Sequence, residues 1–220
     1  MPDIANTFEF NEAQAQQISL KINQVGFSFQ NWSDPDLDNL RSSIRKFYRN
    51  EQSGRCAYCK QNISLISASN CHIEHIAPKS IYEKFMFESK NMCVICADCN
   101  EIKRNQEVLN EVPDTVASRG NQRVRYPSAS NSFKIVHPHL DNYDEHIKIL
   151  QGKYYINKSK KGHFTIGACD LNRWIRVFGW EMSAIDEATI SDLMNKFLSN
   201  NDFTSKHTAL NELREILLRT

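Results

Sequence analysis

No apolar run in this chain approaches the ~20 residues that a membrane-spanning helix needs, so a membrane protein is not expected. The first ten residues have no basic start, no apolar core and no small-residue cleavage site. No signal peptide is therefore expected, and a cytoplasmic location follows as the default. Charge of one sign is also missing, because the net charge is only +1. The chain as a whole does not advertise nucleic-acid binding, and any such surface has to come from local clusters. Lys103 with Arg104, then Arg119, Arg123 and Arg125, then Lys158, Lys160 and Lys161, then Arg173 and Arg176 are such clusters. Each reads first as a solvated charged face. There is no internal repeat and no low-complexity tract. A disulfide framework is a poor fit, since the seven cysteines are odd in number and four of them form two C-x-x-C pairs. That usage suits a reducing compartment and metal binding.

What is present is enough hydrophobic residue (40%) for a packed core and an ordinary charged content of 24%. Residues 11–25 place Ile18, Ile22 and Val25 at helical spacing, with Gly26 as a stop. Asp34 followed by Pro35 predicts a capped helix start. Leu37, Leu40, Ile44, Phe47 and Tyr48 continue that helix to about Asn50. Residues 54–110 predict a turn at Cys56–Cys59, a strand at 72–76 stopped by Pro78, a strand at 92–95, and a helix from Cys96 to about Asn110. Residues 113–135 read as loop. Short strands are expected at 133–136, 147–150, 153–156 and 163–166, the middle two joined by Gln151-Gly152. Asp170 is expected to cap a helix with Leu171, Trp174, Ile175 and Phe178. Ser183 is expected to cap another, running to Leu198. A last helix from about Ser205 is expected to bury Leu210, Leu213, Ile216 and Leu217. The chain thus divides into an N-terminal helical segment (1–53), a motif-bearing core (54–112) and a C-terminal extension (113–220) of short strands and helices.

The chemistry concentrates in the core. Zinc takes four ligands in a tetrahedron, and two C-x-x-C turns each offer two thiolates at close range. Cys56, Cys59, Cys96 and Cys99 fill such a site completely, so this metal would be structural. Cys71, Cys93 and Cys169 read as small buried hydrophobes. Glu74 and His75 form the second feature. Glu74 carboxylate and Asn100 amide oxygen suit a hard divalent ion such as Mg2+. His75 has an ordinary pKa near ~6.5 and can take a proton from an attacking water. His72, two residues earlier on the same strand face, is a rival ligand that reads better as a core or supporting residue. His137, His139, Asp141, Asp144 and His146 offer a second metal site or a nucleic-acid contact, but they lack regular ligand spacing and read first as an ordinary loop.

Cys56-x-x-Cys59, then Glu74-His75-Ile76-x-Pro78, then Asn91-Met92-x-Val94-x-Cys96-x-x-Cys99-Asn100-x-x-Lys103 resembles the HNH (ββα-metal) endonucleases over about 50 residues. The resemblance implies an α+β fold: a zinc-braced ββα-metal core with N-terminal helices and a mixed, mainly helical C-terminal part. It implies His75 as general base and Glu74 as metal ligand, where the family more often has Asp. It implies Asn91 as the asparagine that bonds across the loop to hold the histidine. Asn100 is implied as a second metal ligand, where other members have His, and Lys103 as a basic residue near the phosphate. The cofactors implied are structural Zn2+ and catalytic Mg2+ or Mn2+. Cys56-Ala57-Tyr58-Cys59, Ile73-Glu74-His75, the run from Ile135 to Pro138, Thr165-Ile166 and Leu171-Asn172-Arg173 also look like the HNH subunit of Septu-type and retron-associated bacterial antiphage systems. That subgroup implies an ATPase partner.

Three functions follow as expectations. The first is a metal-dependent endonuclease cutting DNA as a defence effector, with the C-terminal helices as possible homodimer contacts. The second is a non-catalytic zinc module that binds nucleic acid or protein. The third is a restriction, homing or RNA-cleaving role. Glu74, His75, Asn91, Asn100 and Lys103 together favour catalysis, since a zinc scaffold needs only its four cysteines.

Overall fold

The computed structural model describes residues 1–108, 125–179 and 188–219, with backbone alone at 103–108, 188–191 and 216–219. These residues form a mixed α+β structure with two two-stranded sheets. The chain divides into two compact units: Met1–Ile147 with Asn157–Leu171, and Lys148–Ile156 with Asn172–Thr220. Among the described residues no helix is long and apolar enough to cross a membrane.

In the first unit, α1 spans Glu12–Ile22 and opens with a capping box, Asn11 and Gln14 each accepting the other's backbone N–H. The helix ends earlier than the apolar spacing implies. Ile18 is buried, but Ile22 is half exposed and Val25 lies in solvent. The Gln24 and Phe27 N–H groups close successive turns there instead. Asp34 caps by position only, at a short 3-10 turn, Pro35–Leu37, that leads into α2 (Asp38–Glu51). Its carboxylate is drawn away by Lys21 at 3.0 Å and Asn31 at 3.0 Å. Helix α2 does without a side-chain cap, which forgoes about 1 kcal/mol. Burial of Leu40, Ile44 and Tyr48 on one face offsets it, each apolar side chain giving roughly 1.5–3 kcal/mol.

Strands β1 (His72–His75) and β2 (Met92–Ile95) pair antiparallel, from His72 opposite Ile95 to His75 opposite Met92. This hairpin and α3 (Ala97–Val108) follow the expected order of strand, strand and helix. All of β2 is buried, so the backbone groups on its outer edge need partners. The Gln52 side chain supplies two, accepting from Val94 N–H at 2.7 Å and donating to Val94 O at 2.8 Å. His139 supplies another, its Nε2 donating to Met92 O at 2.8 Å. A glutamine and a histidine thus stand where a third strand would.

Two expected strands are absent as such. Residues 133–136 follow a 3-10 turn (Ser130–Ser132), and Val136 N–H donates to the Thr165 hydroxyl rather than to a strand. Residues 163–166 lie inside α4 (Lys160–Ala168), which Ser159 caps by accepting from Gly162 N–H at 3.1 Å. Gly162 is required there, because a Cβ would stand 1.9 Å from the His146 carbonyl oxygen.

The second unit holds most of the hairpin of β3 (Ile147–Leu150) and β4 (Tyr154–Asn157). Gln151 and Gly152 both have positive φ, 48° and 70°, as the expected tight turn requires. Helix α5 (Arg173–Phe178) starts after Asn172, not at Asp170, which takes a left-handed φ of 42°. The Asn172 amide is instead committed to both the N–H and the carbonyl of Tyr155, at 2.8 Å each. Helices α6 (Ala188–Ser199) and α7 (Phe203–Arg219) pack together, with Leu193, Met194 and Leu213 buried beside Leu150 and Ile156. Asp202 caps α7 by accepting from Ser205 N–H at 2.8 Å. Leu210 is exposed, contrary to expectation. Ser183, and the side chains of Ile216 and Leu217, lie outside the described residues.

Candidate metal centre and the histidine beside it

The first cysteine pair sits on a tight turn. Arg55 and Asn62 bridge across its base, Cys56 N–H donates to Gln61 O at 2.9 Å, and Lys60 turns the chain with φ 58°. The Lys60 ammonium donates to Ala57 O at 2.8 Å, pairs with Asp3 and lies 4.1 Å over the Tyr143 ring. The second pair brackets the start of α3, where Cys99 N–H donates to Cys96 Sγ at 3.4 Å. The sulfurs of Cys56, Cys59, Cys96 and Cys99 all lie within 4.8 Å of one another, and all four residues are buried. Cys59 and Cys96 Sγ are 3.6 Å apart. A tetrahedral zinc with Zn–S near 2.3 Å needs sulfurs about 3.8 Å apart, so donor type and spacing fit that ion. Without a cation the thiols conflict. Hydrogen bonds from Cys56, Cys59 and Cys99 hold the Cys96 thiol far below its ordinary pKa. Cys56, Cys59 and Cys96, in that order, push Cys99 far up, and burial first of all raises Cys56. A divalent cation removes the conflict by stabilising all four as thiolates.

Asn91, fully buried, sits just before β2 and staples the loop between the strands. Its Oδ1 accepts from Ala77 N–H at 2.7 Å, and its Nδ2 donates to Ala77 O at 3.0 Å and Phe85 O at 2.9 Å. The next carbonyl along, that of Met86, accepts from His75 Nε2 at 2.9 Å. A carbonyl only accepts, so Nε2 carries the proton and the basic lone pair of the neutral ring is on Nδ1. Trp32 meets the His75 ring edge to face at 4.6 Å. The sequence alone does not mark Trp32, because it stands in a polar segment with no periodic signal. It lies in a 3-10 turn (Phe29–Ser33) tied to the loop by Phe29 N–H donating to Glu83 at 2.9 Å. Replacing Asn91 by alanine removes three buried hydrogen bonds and orphans Ala77 N–H. A loss of about 3–5 kcal/mol is expected, measurable as a lower urea midpoint.

Strand alternation sends Glu74 and His75 to opposite faces. Glu74 is 9% exposed and accepts from Tyr58 OH at 3.4 Å, on the side of the first cysteine turn. Asn100 is half-buried in the first turns of α3, directly after Cys99, and its N–H donates to Cys96 O at 3.1 Å. Helix α3 packs against β1, so the cysteine cluster fixes the backbone that carries Asn100. Lys103 follows in α3, and its side chain lies outside the described residues. His72 Nε2 donates to Ser69 O at 3.0 Å. Cys71, Cys93 and Cys169 are fully buried and form no disulfide.

The later histidines serve the fold. His137 Nδ1 accepts from His139 N–H at 3.2 Å, which leaves Nε2–H for the Tyr126 hydroxyl at 2.8 Å. His146 bonds the Ser159 hydroxyl at 2.7 Å. Asp141 accepts from His137 N–H at 2.7 Å and pairs with Lys161. Among the described residues only the four cysteines form a metal-type cluster. Burial, aided by His139 and Lys161, holds His137 well below its ordinary pKa, and burial lowers His139 as well. Both rings bind protons more readily in the unfolded chain, so stability is full above about pH 6.5 and falls as pH drops below it. With two rings the slope reaches about 2.7 kcal/mol per pH unit, readable as a falling urea midpoint between pH 7 and 5.

No protein-family model matches this chain, and no curated protein matches it significantly.

Proposed function

We propose that the chain is a metal-dependent endonuclease of the HNH type, hydrolysing phosphodiester bonds, with DNA as the first substrate to test and RNA the second. One observation carries this reading: Asn91 fixes the loop through Ala77 and Phe85, and the Met86 carbonyl that follows sets the tautomer of the histidine that succeeds Glu74 in the sequence. Zinc in the four-cysteine cluster is structural, because four thiolates leave no open position. His75 takes a proton from water at Nδ1 as the water oxygen attacks phosphorus, and the bond to the leaving oxygen breaks. Glu74 and Asn100 offer a carboxylate and an amide oxygen, donors that fit Mg2+ or Mn2+. When bound, such an ion supplies charge stabilisation at the phosphate. Lys103, three residues after Asn100 in the sequence, is the basic residue of this reading. In the same reading the chain is the nuclease subunit of a Septu-type or retron-associated antiphage system, with an ATPase partner. The support for that is the short sequence words around residues 56, 73, 135, 165 and 171.

The burial of Glu74 and His75, 9% and 5% exposed, favours a second reading, a non-catalytic zinc module that binds nucleic acid or protein. Nicking of supercoiled plasmid with added Mg2+ or Mn2+ separates the two. Cutting that His75→Ala abolishes supports the nuclease. No cutting by the wild-type chain, alone or with its ATPase partner, supports the module.

A further inference from the structure

Helix α2 carries Arg41, Arg45 and Arg49, one turn apart on a single stripe beside its buried face. The outer two are pinned. Arg49 donates to Leu65 O at 2.7 Å, to Ser67 O at 3.3 Å and to Cys71 Sγ at 3.4 Å, at the start of β1. Arg41 donates to the Trp32 carbonyl, to Asp34 O at 2.9 Å and to Asp38, and Trp32 is the residue whose ring meets His75 at the end of β1. The stripe therefore runs along β1 from Cys71 to the catalytic candidate.

Arg45, in the middle, is different. Its Nε is buried and has no hydrogen-bond partner. Among the described residues neither Arg45 nor Arg49 has a carboxylate within ion-pair distance, and only Arg41 is paired, with Asp38. Burying a guanidinium N–H without an acceptor is unfavourable, and placing it between two like charges adds to that. An anion bound over the stripe offsets the repulsion between the like charges. By helix rise Arg41 and Arg49 are about 12 Å apart, the length of about three nucleotides at about 3.4 Å each.

We infer that the Arg41–Arg45–Arg49 stripe is a phosphate track, in which Arg45 binds a backbone phosphate of the nucleic acid whose scissile bond lies at His75. The inference rests on the nuclease reading for the position of the cut, and not for the binding itself. The ligand chemistry is the phosphodiester backbone, which DNA and RNA share, so binding along the track is salt-sensitive and indifferent to sequence.

The test is fluorescence anisotropy with the full chain, without added divalent ion, on a labelled DNA duplex of about 20 base pairs and on an RNA of equal length, from about 50 to 200 mM salt. Arg45→Ala is expected to weaken binding about 3–10-fold at about 100 mM salt and to lower the slope of log K against log salt by about 0.9, the value for one phosphate left unneutralised. Arg45→Lys is expected to keep the slope. The thermal midpoint of Arg45→Ala is expected to equal or exceed that of wild type, since the side chain leaves no partner behind. Weaker binding of both nucleic acids, or of one of them, supports the track and identifies its source. Wild-type affinity and slope in Arg45→Ala overturn it, as does a wild-type chain that binds neither nucleic acid. Arg45-dependent binding without cleavage by wild type overturns the nuclease reading alone. Cleavage with Arg45-independent binding overturns the track alone.

Discussion

Replacing His75 by alanine is expected to lower plasmid nicking by about 10²–10⁴-fold, equivalent to about 2.7–5.4 kcal/mol of barrier. In the proposed mechanism the ring is the base. Its Nε2 is committed to the Met86 carbonyl, so the deficit falls on the proton acceptor at Nδ1. Charge stabilisation and positioning survive the substitution, which is why residual cutting is expected rather than none. The rate is best compared well below the thermal transition, because alanine also forfeits the packing against Trp32 at 4.6 Å. Measured zinc content and the far-UV spectrum are expected to match wild type, since His75 is outside the cysteine cluster. A variant that nicks at the wild-type rate under these conditions would remove His75 from the mechanism.

Cys96→Ser is expected to abolish folding of the unit that holds the site. Structural zinc contributes an apparent ~10–16 kcal/mol in small zinc domains, which matches or exceeds the ~5–15 kcal/mol total stability of an ordinary domain. The cluster joins a turn at 56–59 to the start of α3, two segments far apart in sequence. Removal of one ligand leaves three buried thiols in mutual conflict and frees the N-terminus of α3, and with it Asn100. The expected outcome is an insoluble or molten chain without zinc, against about one zinc per wild-type chain. Cys71→Ala is the control: Cys71 is equally buried but stands outside the cluster, so zinc is retained. A soluble, zinc-free Cys96→Ser of normal stability would refute the structural role.

Legibility varies with how local each signal is. The hairpin and α3 are legible because short apolar runs, a proline and two C-x-x-C pairs mark their ends within a few residues. The β3–β4 hairpin is legible for the same reason, through Gln151-Gly152. Residues 163–166 look like a strand by composition, yet Ser159 caps a helix through them and the His146 carbonyl leaves room only for a glycine at 162. Asp34 and Asp170 look like caps in the sequence, but a competing partner takes the first and a left-handed backbone the second. Lys21 stands 13 residues from Asp34, and the left-handed turn at Asp170 leaves no mark in the apolar spacing around it.

Residue type and spacing alone were enough for the four-cysteine set, the order of strand, strand and helix, and the identity of the polar residues around them. These depend on residue type and spacing along the chain, where neighbours a few positions apart must meet. Packing was needed to settle which carbonyl fixes the His75 tautomer, that Trp32 borders the ring, that Gln52 and His139 finish the edge of β2, and that Arg45 Nε is buried without an acceptor. Each depends on residues far apart in sequence, and buried donors and acceptors find one another, or fail to, only once the chain has packed.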